Sequence, residues 1–237
     1  MEHEHHHVHE HELFDEETKN ALRKIFTGFK RSLVDVLVLS PTDCPTCGEA
    51  EHLARELMKI SNGALEFKII DRDSDIAKKL AVRYVPAFIY DTRKRNIRYY
   101  GLPSGQEFAP FIYIHQYIAN NQVNLPKEAV EIVESIENPI HVKIFVTPEC
   151  PYCPLIVDAA NQMGLVNSDI LVETIEAIEL PLEADIYRVM YVPFVVITDP
   201  ARQLEYGAKP VEVINGYVPP EDMARIFYEA SRKLRKR

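Results

Sequence analysis

The chain has 237 residues, a formal charge of −9, nearly half its residues apolar and about a quarter charged. That length suits two domains of roughly 100–120 residues, and the acidic balance argues against a general nucleic-acid binder. No apolar run approaches the ~20 residues of a membrane span and no signal-peptide pattern opens the chain, so a cytoplasmic location is expected.

Residues 1–12, Met-Glu-His-Glu-His-His-His-Val-His-Glu-His-Glu, cannot contribute to a core and read as a His-rich disordered tail. Its imidazoles would bind Zn, Ni or Cu loosely, whether the tail is a purification tag or native. An amphipathic helix is expected over about Asp15–Lys30, with Leu22, Ile25, Phe26 and Phe29 on one face. Leu33–Leu39 has the dense hydrophobicity of a strand buried on both sides. After Cys44-Pro45-Thr46-Cys47 a helix runs to about Ile60, stopped by Ser61-Asn62-Gly63. A strand over Leu65–Ile70 and a short helix over Asp73–Val82 come next. Pro86 then opens the strand Ala87–Tyr90, which turns through Arg93–Asn96 into Ile97–Tyr100. A last helix covers about Gln106–Ala119.

The second half repeats this order. Helix Lys127–Ile136 precedes strand Ile140–Val146 and the motif Cys150-Pro151-Tyr152-Cys153. A helix over Leu155–Met163, stopped at Gly164, leads to strand Ile170–Ile178 and a short helix Glu183–Met190. Pro193 opens Phe194–Thr198, followed by Val211–Ile214 and the helix Glu221–Leu234. The basic run Arg232–Arg237 reads as a cationic last helical turn. The polar segment 120–126 ends in Pro126 at a helix start and suits a boundary. The expected organisation is thus a tail (1–12), a first unit (13–122) and a second unit (123–237). The fold class is α/β, each unit a four-stranded mixed sheet flanked by helices.

The two Cys-Pro-X-Cys motifs contain every cysteine of the chain, and Tyr-Val-Pro follows each at nearly the same distance. Cys44 lies 42 residues before Pro86 and Cys150 lies 43 before Pro193. A thiolate is the attacking species in disulfide exchange, and a free thiol with a pKa of about 8.5 is mostly protonated at neutral pH. A helix N-terminus stabilises the anion through unpaired amides and the dipole. Cys44 and Cys150 are therefore read as nucleophiles nearer solvent, and Cys47 and Cys153 as resolving thiols. Asp43 and Glu149 would oppose thiolate formation and read as solvated charges. Structural disulfides or a Cys₄ zinc site are the alternatives. Against zinc, 102 residues separate the pairs, where zinc ribbons use about 15–20.

The element order resembles the thioredoxin fold. The tandem motifs together resemble the protein disulfide oxidoreductases of hyperthermophilic archaea and bacteria. Absence of Trp and high charge also fit a thermophile. The resemblance implies that the Val85-Pro86 and Val192-Pro193 bonds are cis, pack beside the dithiols, and leave Val85 and Val192 to pair with an extended substrate. It implies reduction, formation and isomerisation of disulfides in protein clients; a thioredoxin-reductase-type electron donor is the expected partner, no cofactor or resident metal is expected, and charge and hydropathy argue for neither nucleic acid nor membrane. Thioredoxin carries a buried Asp six residues before its first Cys; here those positions hold Val38 and Ile144, so the acid/base partner must come from elsewhere. Thr46 against Tyr152 predicts unequal reduction potentials, with the second site the more active. Two rival functions remain open: an electron-donor module for a peroxiredoxin-type peroxidase, and a zinc-stabilised, non-catalytic binding protein.

Overall fold

Strands buried at nearly every position, such as Ile97–Tyr100 and Ile140–Val146, need cover on both faces. Among the described residues eight strands form one sheet with helices on both sides. This architecture comes from a computed structural model that describes residues 13–91, 93 and 96–235. The His-rich tail, two residues of the Arg93–Asn96 turn and the last two basic residues lie outside the described residues.

In the first half, α1 (Glu16–Thr27) is capped by Asp15, whose carboxylate accepts the Thr18 N–H at 2.7 Å. Then follow β1 (Leu33–Leu39), α2 (Cys47–Ser61), β2 (Leu65–Asp71), α3 (Asp75–Lys79), β3 (Ala87–Ile89) and β4 (Ile97–Tyr100). A 3₁₀ turn (Gly105–Glu107) leads into α4 (Phe108–Asn120). The second half holds α5 (Lys127–Glu134), β5 (Ile140–Val146), α6 (Cys153–Val166), β6 (Ile170–Glu176), α7 (Pro181–Ile186), β7 (Phe194–Thr198), β8 (Glu212–Asn215) and α8 (Pro220–Arg235).

Several boundaries differ from the expectation for local reasons. α3 is shorter because Ala81 takes φ +53, and α7 begins earlier, at Pro181, and ends before Arg188 at φ +54. Gly164 does not stop α6. A Cβ there would stand 3.1 Å from both Ile97 Cγ1 and Val172 Cγ2, so the glycine lets the helix lie close on the sheet.

Among the described residues the strands run in the order β2-β1-β3-β4-β6-β5-β7-β8. Each half is a four-stranded mixed sheet. The two fuse because β4 and β6 pair in parallel, from Ile97↔Val172 to Tyr100↔Ile175. Asn96 seals the start of this seam, its side-chain amide donating to the carbonyls of Gly164 at 2.8 Å and Ile170 at 2.9 Å.

The period-2 alternation sorts side chains between the two faces. On β5, Ile140, Val142, Ile144 and Val146 enter the core that also holds residues of α1, α2, α4, α5, α6 and α8. Phe145 faces the smaller cluster with residues of α3 and α7. His141 and Lys143, on alternate positions with Phe145, are also buried and polar, a feature the strand's hydrophobicity conceals.

Candidate active sites

Both motifs form disulfides within themselves, Cys44–Cys47 and Cys150–Cys153, with Cα–Cα separations of 5.4 and 5.5 Å. The two helices begin at the second cysteine of each pair, so the first cysteine sits in the turn just ahead of the helix. Each motif therefore lies where the helix leaves its first amides unpaired. At the second motif one of these amides points at sulfur: the Cys153 N–H donates to Cys150 Sγ at 3.1 Å. At the first, the sulfur contacted by an amide is the other one, with Ser40 N–H donating to Cys47 Sγ at 3.4 Å.

Exposure also separates the sites. Cys44 is half-buried and Cys47 buried. Cys150 is only 6% exposed and Cys153 fully enclosed. The first cysteine of each pair is the more accessible, but Cys150 is less open than a solvent-facing nucleophile was expected to be. Asp43 and Glu149 are exposed, as solvated charges would be.

Val85-Pro86 and Val192-Pro193 are cis. The Pro86 carbonyl accepts the Gly101 N–H and the Pro193 carbonyl the Gly216 N–H, both at 2.9 Å. Val85 belongs to the apolar cluster that contains Cys47 and is flanked by Cys44. Val192 packs against the cluster that contains Cys150 and Cys153. Around the second motif the surface is apolar: Tyr152 is 59% exposed, its ring centroid 6.4 Å from that of Tyr217, and Tyr191 and Met190 are exposed beside Val192 in sequence.

One residue with acid/base chemistry was missed from the sequence. Glu107, in the 3₁₀ turn ahead of α4, is fully buried, and among the described residues neither carboxyl oxygen has a hydrogen-bond partner. Burial pushes its carboxyl up to about 8. Its neighbour Gln106 donates its N–H to the carbonyl of Pro148, two residues before Cys150, at 2.8 Å. The turn packs on α6, the helix that begins with Cys153. Tyr117 on α4 lies near enough to Asp158 on α6 for that carboxylate to add to the burial that raises its hydroxyl, and Asn124 N–H donates to Gln162 Oε1 at 2.5 Å. Contacts 106–148, 117–158 and 124–162 advance together, so α4 and α6 run side by side and Glu107 lies at the dithiol end. A Glu opening a helix looks in sequence like an ordinary favourable charge at the dipole; only the packing of two halves reveals it as buried.

Among the described residues no group of three or more His, Cys, Asp or Glu side chains is placed to hold a metal ion. None of their helices is long and apolar enough to cross a membrane.

Comparison with protein-family models matches residues 140–203 to a thioredoxin domain. A protein disulfide oxidoreductase from Aeropyrum pernix k1 superposes with TM-score 0.79 at 24% identity, covering 92% of this chain and 94% of that one. The F component of the alkylhydroperoxide reductase of Enterococcus faecalis gives TM-score 0.78 at 18% identity, over 90% of this chain and 99% of that one. In sequence, the F component of the alkyl hydroperoxide reductase of Pseudomonas aeruginosa is 25% identical over 102 residues, 43% of this chain. The chain spans only 20% of that relative's length. The chain therefore has the thioredoxin-like fold in two tandem, fused copies, and a CxxC disulfide in each supports thiol–disulfide oxidoreductase chemistry.

Proposed function

We propose that the chain reduces, forms and isomerises disulfides in protein clients. Cys44 and Cys150 attack, Cys47 and Cys153 resolve, and Val85-Pro86 and Val192-Pro193 dock the client strand. The observation that carries this reading is the second site's geometry. A helix-start amide addresses Cys150 Sγ, an unpartnered carboxyl lies at the same end of the helix, and the exposed Tyr152 ring of the motif stands beside that of Tyr217.

In the reducing direction the Cys150 thiolate attacks one client sulfur. A mixed disulfide forms and the other client sulfur leaves as a thiolate. Glu107, as the carboxylate, then takes the proton of the Cys153 thiol, a task to which its raised pKa is well matched. The Cys153 thiolate attacks Cys150 Sγ, the Cys150–Cys153 disulfide closes, and the client's second sulfur leaves and is protonated. Two electrons pass to the client, and a dithiol donor of the thioredoxin-reductase type restores the pair. The Cys153 amide, held on Cys150 Sγ, stabilises negative charge there in the first step.

The test is reduction of insulin disulfides together with refolding of a scrambled disulfide protein, for wild type, Cys44→Ser and Cys150→Ser. Cys150→Ser should remove most of both activities and Cys44→Ser a smaller share. Full activity in both variants, or stoichiometric zinc bound by the four thiols, would overturn the assignment.

A second reading, electron delivery to a peroxiredoxin-type peroxidase, is favoured by the similarity to the F components of alkyl hydroperoxide reductases from several bacteria. It predicts that the reduced chain reduces a peroxiredoxin disulfide stoichiometrically and faster than it reduces insulin.

A further inference from the structure

Thr46 is the N-cap residue of α2 and lies between the two sulfurs of the first motif, yet its hydroxyl caps nothing in its own helix. It donates instead to Oε1 of Glu179, a residue of the β6–α7 loop in the other half of the chain. The second carboxylate oxygen of Glu179 accepts the Leu102 N–H at 2.9 Å. The loop is itself fixed, because Glu176 accepts the N–H groups of Ile178 at 3.0 Å and Glu179 at 2.7 Å. Gly101, at φ +95, makes the approach possible: a Cβ there would stand 2.8 Å from Glu176 Cβ and 3.1 Å from Glu179 Oε2. Three segments from both halves, the start of α2, Gly101–Leu102 and residues 176–179, thus converge on this one carboxylate.

We propose that Glu179 is a positioning residue that restrains the first dithiol, making Cys44 a weaker nucleophile than Cys150 and its disulfide the harder of the two to reduce. The proposal rests on reading Cys44 as the attacking sulfur. A fixed anion beside a helix start cancels part of the positive potential that the unpaired amides would offer a thiolate. A less stable thiolate means a less stable reduced form, and hence a more reducing pair. At the matching position of the second motif stands Tyr152, neutral, exposed and set against Tyr217.

Other ionisable groups surround the first site: Asp43, Glu49, Glu51 and His52 on its own segment, Asp71 at the end of β2, and Glu176 at the end of β6. Tyr84 and Tyr100 share the apolar cluster of Cys47, and burial raises both hydroxyls, Tyr100 to about 12. All of these stay in place when Glu179 alone is changed, so the difference isolates its charge.

The experiment measures alkylation of each cysteine by iodoacetamide from pH 5 to 9 in the full-length reduced chain, with peptide mapping to separate the sites. Glu179→Gln and Glu179→Ala remove the charge; Glu179→Asp keeps it while shortening the reach. At pH 6 the Gln and Ala variants should raise the Cys44 rate about fivefold. They should lower by a similar factor the glutathione ratio needed to reduce the first disulfide. Glu179→Asp should keep the wild-type profile, and Cys150 should stay within about twofold throughout, which also reports an intact fold. Unchanged Cys44 profiles would overturn the proposal, as would Ala and Asp moving together while Gln does not, the pattern of a purely structural bond. Labelling of Cys47 in place of Cys44 would overturn the assignment of the attacking sulfur and this proposal with it. Fast Cys44 alkylation in the variants, with insulin left unreduced by every form, would uphold Glu179's effect and refute only the client assignment.

Discussion

Arg83 of the first half reaches Glu173 of the second at 2.6 Å, with both side chains sealed from solvent. The same guanidinium also bonds Glu183, which in turn accepts Lys143 Nζ at 2.5 Å, and His141 meets Glu173 at 2.8 Å. The fused sheet therefore encloses a charge network drawn from both halves on the face that carries α3 and α7.

Removing Arg83 leaves Glu173 with His141 and Arg98, and Glu183 with Lys143, each short of one buried cation. Arg83→Met should destabilise the chain by about 3–5 kcal/mol, because two carboxylates lose a buried partner at once. Urea unfolding at pH 7 checks it. A loss below about 1 kcal/mol would mean that the network adds little.

The same network sets the acid limb of stability. Burial alone would raise the Glu173 and Glu183 carboxyls, but His141, Arg83 and Arg98 around Glu173, and Arg83 and Lys143 around Glu183, more than offset it and hold both below the ordinary value of 4.5. Carboxyls depressed in the folded state stabilise it fully above their unfolded pKa and lose that contribution as pH falls through the folded values. The network's own contribution should accordingly hold from pH 7 to about 5, and thermal midpoints should decline steeply below about pH 4.5. Glu183→Gln should flatten that decline.

Glu107 acts with the opposite sign. Its folded pKa lies at about 8, so between the ordinary 4.5 and that value the folded chain holds a proton the unfolded chain has released. Stability falls as pH rises through this window, by at most about 5 kcal/mol. Glu107→Gln should therefore be relatively more stable than wild type at pH 9 than at pH 5. It should also slow turnover at the second dithiol on the order of a hundredfold. Urea midpoints at the two pH values and insulin reduction in a Cys44→Ser background measure the two effects, and an unaltered rate would remove Glu107 from the mechanism.

Gly105 places the 3₁₀ turn against the second site. It adopts φ +57, and a Cβ there would lie 2.4 Å from the Pro148 carbonyl oxygen. Gly105→Ala should cost about 2–3 kcal/mol and displace the Gln106–Pro148 bond. Its signature would be altered alkylation of Cys150 with Cys44 unchanged.

Features written in consecutive residues were legible in the sequence. The duplicated motifs, the strand after each proline and the order of elements all rest on local pattern, and the structure has them. What could not be read depends on residues far apart in the chain. Gly164 resembles a helix stop until Ile97 and Val172 are seen beneath it. His141 and Lys143 vanish into an apolar strand because their partners, Glu173 and Glu183, lie 32 and 40 residues away. Glu179 sits 133 residues from the hydroxyl it accepts from. The β4–β6 pairing left no mark either, since nothing in Ile97–Tyr100 distinguishes a sheet margin from an interior strand.

That pairing has a consequence for how the molecule meets other copies of itself. A lone half would offer the open backbone of β4, or of β6, as a template on which a neighbouring polypeptide could grow. Joined, the two spend those groups on each other, and the sheet's outer margins are β2 and β8. Splitting the chain after residue 122 should then yield fragments that cling to one another or precipitate, while the intact polypeptide is protected from runaway strand recruitment by its own second copy.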